Sequence, residues 1–561
     1  MQNNYWKKGL VLGIIAFFVG ASIIPSTIGI VEKKTTFKEI KSRGYIQNLI
    51  DNASDGDTIY IPSGIYYENI VINKSISLVG EDKNTTIIDG DNNGDVVSVS
   101  ADSVNISGFK IRNGYIPSFD GTGIVIYSNF SIITGNIIIL NEGWGIDLRG
   151  ACNIIKRNII SNNYRGMFIN GEGNIIIENS ITSHNHWSIS LWGSSSNNTI
   201  KENIIKDTND AGIFIDDLST NNTINDNTIS KNIWGINLQG SSNFITGNNI
   251  SKNGYGFSGD GLYLGRSSDN NNISGNTISS NNRTGIFLQG DSHTITGNTI
   301  SNNWNGIRLY SSSNNDILDN SFFNNGLFVS NSYHNTVEYN MVNGKPLVYL
   351  EDESDKVIDY EVGQVILVNC NNITAENLKL INTYVGVQLL GTNNCEIRNN
   401  NCSNNMEGIF LSDSSNNNIN YNEIISNNDN GICLSSSSSN TISGNIISIN
   451  GDGIYLRGFS DTNTITGNSI LNNDHYGIFI WDSISNNIIK NNLIGNEQDA
   501  FFRNARLNRW SQNYWNRPRV LPKLIFGEKY WVTYYGLIRQ EHHLPWFPKI
   551  DWHPAKEPYD I

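Results

Sequence analysis

Residues 211–251 read AGIFIDDLSTNNTINDNTISKNIWGINLQGSSNFITGNNIS. Gly212-Ile213-Phe214-Ile215 returns 23 residues later as Gly235-Ile236-Asn237-Leu238. Asn227, two residues before Ile229, returns 21 residues later as Asn248 before Ile250. Between these lies a third short apolar segment, Asn222-Thr223-Ile224. Each period therefore holds three segments of alternating apolar residues, which is the period of β-strands and not of helices.

Working outward, the Gly-Ile-x-Leu column runs through Gly123, Gly145, Gly166, Ser188, Gly212, Gly235, Gly261, Gly285 and Gly306 in steps of 21 to 26 residues. It resumes at Gly386, Gly408, Gly431, Gly453 and Gly477. The Asn column accompanies it from Asn136 to Asn340, then through Asn377, Asn400, Asn422, Asn445, Asn468 and Asn492. Propeller blades need about 40 residues, and leucine-rich or ankyrin repeats need a helix per repeat. Three strands in about 22–24 residues fit one coil of a solenoid whose successive coils pair in parallel. The crossover rule favours a right hand. The predicted fold is all-β: a single-stranded right-handed parallel β-helix with an N-terminal helix cap and a C-terminal cap. One coil cannot stand alone, because ladder bonds and a closed core need neighbours. Asn suits the turns, since it tolerates left-handed geometry, and stacked amides can bond from coil to coil.

Composition agrees with a thin core in a long array. Of 561 residues, 38% are hydrophobic and 16% charged, with 52 Gly and 10 Pro. The net charge of −14 argues against nucleic acid as a partner. Five cysteines at 152, 370, 395, 402 and 433 form neither a disulfide framework nor a CxxC metal signature. Cys370 and Cys395 fall about one coil apart, which leaves a bridge between them open.

The expected layout starts with residues 1–30. Lys7-Lys8 precede an apolar run from Gly9 to Ile30, the pattern of an export signal or a retained membrane anchor. A linker follows at 31–45. The first part of the solenoid spans 46–343, opening with a short helix that presents Ile46, Leu49, Ile50 and Ala53 on one face. Residues 344–363, acidic and out of period, read as a solvated insertion, without the spacing of a calcium loop. The second part spans 364–502. An aromatic, Pro- and Arg-rich cap spans 503–561.

These residues carry a resemblance. Gly56-Asp57-Thr58-Ile59, the two columns, Asn343-Gly344-Lys345-Pro346 and Asn513-Tyr514-Trp515 resemble the pectin-lyase-like superfamily. More narrowly, they resemble archaeal surface proteins with parallel β-helix repeats and NosD-type β-helix domains. The resemblance covers about residues 45–520. It implies a right-handed β-helix and, across the superfamily, lyases, hydrolases, epimerases and non-enzymes. NosD's association with copper-enzyme maturation does not carry over. Copper wants clustered His, Met or Cys, while His184/His186 and His542/His543 read as surface residues. No cofactor or metal is expected.

In a Gly-Ile-x-Leu strand the residue between Ile and Leu points outward. That position holds Phe168, Phe214, Tyr263, Phe287, Phe410, Tyr455 and Phe479, with Trp192 and Tyr310 nearby. The candidate carbohydrate-binding set is Trp192, Phe214, Asp216, Tyr263, Phe287 and Tyr310. Rings on an exposed sheet suit sugar faces, and equally suit packing on one another. A polysaccharide lyase or glycoside hydrolase would use Asp216 and Asp217, the best acidic cluster. The acids otherwise show no column in the sequence, and the superfamily's Asn-Thr-Asp and Gly-His-Gly hydrolase motifs are absent. The expected function is an exported cell-surface or secreted protein that binds polysaccharide or envelope glycan. Its contact with a membrane would be only through an uncleaved N-terminus. The alternatives are the enzyme and a structural stalk.

Overall fold

The computed structural model describes residues 44–115, 121–254, 259–519, 521–535 and 538–561. The apolar run 9–30 and most of the linker 31–45 lie outside them. Among the described residues no helix is long and apolar enough to cross a membrane.

The chain winds into a parallel β-solenoid with three sheets, met in the order 1, 2, 3 in every coil. One coil carries Thr199–Lys201 in sheet 1, Ile204–Lys206 in sheet 2 and Ala211–Ile215 in sheet 3. The next pairs with it in parallel through Thr223–Asn225, Thr228–Ser230 and Trp234–Leu238. Sheet 1 has thirteen strands before residue 340 and eight after 356. Alternation sends Ile200, Ile205, Ile213 and Ile215 fully into the core.

The corner between sheets 1 and 2 explains the Asn column. It is two residues long. The first takes left-handed geometry, as at Glu202 (φ 54°), Asp226 (φ 56°) and Gly247 (φ 66°). The second is the buried Asn. Asn203 donates its N–H and its Nδ2–H to Asn227 Oδ1, at 2.9 and 3.0 Å. Asn227 repeats this onto Asn248, and Asn248 onto Asn276. Each Nδ2 also donates to a carbonyl such as Ile224 O, 2.8 Å from Asn248. The other two corners carry ladders of their own: Asn198–Asn222–Asn243 before sheet 1 and Asn232–Asn253–Asn281 before sheet 3. Late in the chain the corner ladder runs Asn468–Asn491–Asn513, and Leu378 donates its N–H to Asn400. Asn377 and Asn492 are each one residue out of that column.

Two ladder positions hold histidine. His184 follows Asn163, with Nδ1 3.2 Å from Asn163 O and Nε2 3.2 Å from Ile160 O. His293 accepts the Asn271 N–H on Nδ1 and donates its own N–H to Asn315 Oδ1. Both are buried, so the expectation of a surface histidine at 184 is corrected. Burial drives both well below the usual imidazole value, to about 4.

Helix α1 (Tyr45–Asn52) buries Ile46 and Ile50 on the first core, while Leu49 is exposed. The Glu68 carboxylate accepts the N–H groups of Ile46 and Gln47, satisfying the helix start. At the far end Asp551 stands where the next ladder Asn would be. It accepts N–H groups from Gln512, Asn513, the Trp515 indole and His553. A two-stranded ribbon, Lys523–Tyr535 with Ile538–Asp551, extends the last coil.

Residues 344–363 are structured. The chain reverses at Gly344, and Lys345–Glu351 pairs antiparallel with Met341–Val342 and parallel with Gln364–Val368. Here one core ends and a second begins. Val365, Leu367, Val387 and Leu389 face the second core, while Ile366, Val368 and Leu390 join the first. The outer side of the second solenoid's sheet 3 therefore closes the end of the first. Gln364 exchanges two hydrogen bonds with Leu327, at 3.1 and 2.7 Å, and Gln388 does the same with Val329. These amides pair the free edge of strand Leu327–Ser330, which would otherwise invite aggregation. The five cysteines are free; Cys370 and Cys395 do not bridge.

Candidate functional site

Two groups of chemistry-bearing side chains occupy the outer side of sheet 3, one in each solenoid.

The first is aromatic. Trp144 and Arg165 pair directly on adjacent strands, and the Arg165 guanidinium lies 5.2 Å over the Trp144 ring. Trp187, on the following coil, stacks with Trp144 at 6.5 Å and with Phe214 at 5.2 Å. Trp192 meets Trp187 at 5.6 Å and Phe214 at 5.0 Å. All four rings are half-buried. His186 pairs with Asp210 at 2.8 Å beside them. The row forms because the outward positions of four successive coils carry rings, Phe168 at 5.4 Å from Trp144 among them, and strand spacing of about 4.8 Å brings neighbours into contact.

Of the expected set, Trp192 and Phe214 belong to this cluster. Asp216 is buried behind it. One oxygen accepts the Gly193 N–H at 2.8 Å and the other accepts the Ser219 hydroxyl. Asp217 is exposed. Tyr263, Phe287 and Tyr310 form a separate stack, at 5.6 and 6.3 Å, two rungs further on. Phe287 is buried between its neighbours.

The second group is acidic. In sheet 3 of the second solenoid, Val385 pairs with Glu407 and Asn430 with Asp452. Glu407, Asn430 and Asp452 are thus outward residues of three successive coils, and Asp429 directly precedes Asn430. The structure places two acids, Glu407 and Asp452, at this position two coils apart, with Asn430 between them and Asp429 beside Asn430. Alignment on Gly408, Gly431 and Gly453 hid this grouping, because the chemistry sits one or two residues upstream in different letters. The available signal was an acid before the glycine in each of these coils.

Asn430 donates Nδ2–H to Glu407 Oε1 at 3.2 Å. Glu407 Oε2 and Asn430 Oδ1 are buried and receive no N–H or hydroxyl among the described residues. Burial, with the neighbouring Asp429, holds Glu407 well above the usual carboxylate range. Burial also raises Asp429 and Asp452. Asp429 is open to solvent and Asp452 half-open. The Asp452 carboxylate accepts the Tyr476 N–H at 3.1 Å and faces His475 at 3.9 Å. Tyr455, Tyr476 and Phe479 lie alongside, 4.9 Å apart ring to ring. The Arg457 guanidinium sits over Tyr455 and Phe410.

Residues 95–233 and 234–361 match the family model described as right handed beta helix region. The fold is a right-handed parallel β-helix. Residues 343–536 match the model described as periplasmic copper-binding protein (NosD). No match was found among curated proteins. Solved structures similar to the β-helix include DFA-IIIase from Arthrobacter chlorophenolicus A6 without its lid. That match has 15% identity and a TM-score of 0.37, covering 46% of this chain and 83% of that one. The catalytic domain of a GH87 alpha-1,3-glucanase in complex with tetrasaccharides matches at 15% and 0.40, covering 51% and 63%. The PL6 family alginate lyase AlyGC matches at 11% and 0.34, covering 82% and 88%.

Copper does not fit the residues present. The β-helix buries Cys402 and Cys433 fully, and burial pushes the Cys395 and Cys402 thiols up to about 11 and 12, away from thiolate. Among the described residues one group could gather a metal: His334, Glu351 and Asp352. It has a single imidazole and two hard carboxylates, not the soft donor set of copper. Glu351 is already taken by the N–H groups of His334 and Asn335 and by the Tyr349 hydroxyl.

Proposed function

We propose that the β-helix binds polysaccharide across the outer side of sheet 3 in its first solenoid, outside the cytoplasm. The observation that carries this is the cluster Trp144, Trp187, Trp192 and Phe214, half-open on one sheet face with Arg165 and the His186–Asp210 pair at its edge. Open rings on a rod mark a binding surface, and indoles flanked by polar groups suit the apolar face and hydroxyl rim of a sugar. A stalk would have these rings covered by loops. The Tyr263–Phe287–Tyr310 row contributes less, because stacking along the rod spends ring faces on neighbouring rings. Asp216 acts indirectly, by holding the Trp192–Gly193 turn. Export is supported by the N-terminal pattern Lys7-Lys8 and Gly9–Ile30 and by the match to a family described as periplasmic.

Affinity electrophoresis in neutral and acidic polysaccharides tests the proposal. Retardation is expected in at least one gel. Trp192→Ala should weaken it at least tenfold, which corresponds to about 1.4 kcal/mol. Asp216→Asn should weaken it less, since an amide oxygen can still accept the Gly193 N–H. Absence of retardation in every gel would leave the stalk.

A further inference from the structure

We infer that the C-terminal ribbon docks the β-helix on the surface of an anionic lipid bilayer. Phe459, Leu544 and Phe547 enter the headgroup region, and Arg506 and Lys529 meet the lipid phosphates. This goes beyond polysaccharide binding, and it adds a second membrane contact to the one expected of the N-terminal run.

The ribbon differs from the coils before it. A coil strand such as Tyr476–Trp481 has 6 residues, whereas the ribbon strands have 13 and 14. Gly527 and Glu528 pair with Phe502 and Arg503 of the last coil, and beyond them the two strands pair with each other. A two-stranded hairpin has no core of its own, so its apolar side chains need a surface outside it. At the base Ile525 finds one in the second core. Further along, Leu544 and Phe547 do not; they are 53% and 87% exposed.

Two adjoining hollows define the face. One, of about 340 Å³, lies between Lys529, Leu544, Trp546 and Phe547. The other, of about 440 Å³, lies between Phe459, Asp482, Ile484, Arg506, Lys529 and Trp546. They share Lys529 and Trp546, so the face is continuous, and Phe459 at its far side is 75% exposed. The Arg506 guanidinium lies 5.5 Å over the Trp546 ring and the Lys529 ammonium 5.8 Å over Trp531. Neither cation forms an ion pair among the described residues, although Asp482 lines the same hollow. Single exposed apolar residues are ordinary, but a contiguous set set with cations marks an interaction surface.

Charge chooses the partner. Residues 503–561 hold ten Lys and Arg against five Asp and Glu, a net +5 in a chain of net −14, so the preceding 502 residues carry −19. The solenoids therefore repel an anionic surface and the cap attracts it. The apolar residues separate a bilayer from an acidic polymer. A polyanion would use the cations and leave Leu544 and Phe547 in water, whereas the headgroup region takes both, apolar tips down and cations at the phosphates.

The full chain is mixed with vesicles of phosphatidylcholine, or of equal parts phosphatidylcholine and phosphatidylglycerol, and its flotation is followed. Uptake on the anionic vesicles should exceed that on the neutral ones at least about tenfold. Raising salt from about 0.1 M to about 1 M, which shortens the screening length from about 10 Å to about 3 Å, should lower it by a similar factor. Leu544→Ser with Phe547→Ser, and Arg506→Gln with Lys529→Gln, should each lower uptake at least about tenfold. Arg506→Lys with Lys529→Arg should retain it, as should Phe130→Ser in the first solenoid. All these side chains are exposed, so urea midpoints should match wild type. Equal uptake on neutral vesicles, or none on either, overturns the docking face. Uptake that survives the serine pair makes the face a polyanion site, and uptake that survives both pairs belongs to the N-terminal run; either result overturns it. Self-association in the ultracentrifuge that Phe547→Ser abolishes assigns the face to a second copy and overturns it as well.

Discussion

Replacing His293 and His184 by asparagine should remove a large part of the acid sensitivity of the β-helix. Each histidine stands in a ladder built for carboxamides. His293 Nδ1 accepts the Asn271 N–H at 3.2 Å, so the ring proton sits on Nε2, which is buried without a protein partner. Protonating Nδ1 would destroy the bond it accepts. Both ring nitrogens of His184 face carbonyl oxygens, and a neutral imidazole can donate to only one of them. Burial lowers each from 6.5 to about 4 in the folded state. The unfolded chain therefore binds more protons between those values. The stability is fully present above about pH 6.5 and is lost as pH falls toward 4. The ceiling is about 3.4 kcal/mol per histidine at 1.36 kcal/mol per unit. At pH 5 the loss is about 2 kcal/mol each and about 4 for the pair.

The assay is urea unfolding of wild type, H184N, H293N and the double variant at pH 7.5 and pH 5. Each single variant should recover about 2 kcal/mol of the wild-type loss. At pH 7.5, H293N should also gain about 1 kcal/mol, because Oδ1 and Nδ2 can complete the bonds the ring leaves open. A double variant whose pH 7.5-to-5 difference equals that of wild type would refute the assignment of these rings as neutral ladder members.

Other consequences concern the ladders, the cap and the junction. Asn248→Ala removes the Nδ2–H bonds to Asn276, Ile224 and Thr246 and strands the donors of Asn227, so it should cost about 1–3 kcal/mol in urea unfolding. Lys252→Ala, exposed, should cost under about 0.5 kcal/mol; equal losses for the two would mean that the Asn columns carry no stability. Asp551→Ala frees several buried N–H groups at once and should cost at least about 3 kcal/mol, read as early exchange of amides around Gln512–Trp515. Asp551→Asn, which can still accept, should lose less than half of that. Gln388→Leu leaves the Val329 N–H and C=O unpaired at the junction and should raise exchange at Leu327–Ser330 before other sheet 3 strands; unchanged exchange there would show that the amide does not close the edge.

The solenoid was legible because one coil is a short message sent many times. Gly235-Ile236-Asn237-Leu238 alone is ambiguous; repeated every 21 to 26 residues it fixes strand, register and the inward side. The Asn column was legible for the same reason, although only one of three corners was read. What repetition hides is a position whose role persists while its letter changes. His184 and His293 hold ladder places without being asparagine, so a search for Asn passes over them. Gln364 and Gln388 reach residues 37 and 59 positions away, outside any period. The acids followed the same logic. Glu407, Asn430 and Asp452 share one outward position with Val385, and the corresponding place in the first solenoid carries Trp144 and Arg165. That position makes no demand from the core, so each coil is free to vary it. In a solenoid, therefore, chemistry should be sought where adjacent coils disagree in letter but agree in register. Here the row just before each glycine satisfies that rule twice, once with rings and once with carboxyls.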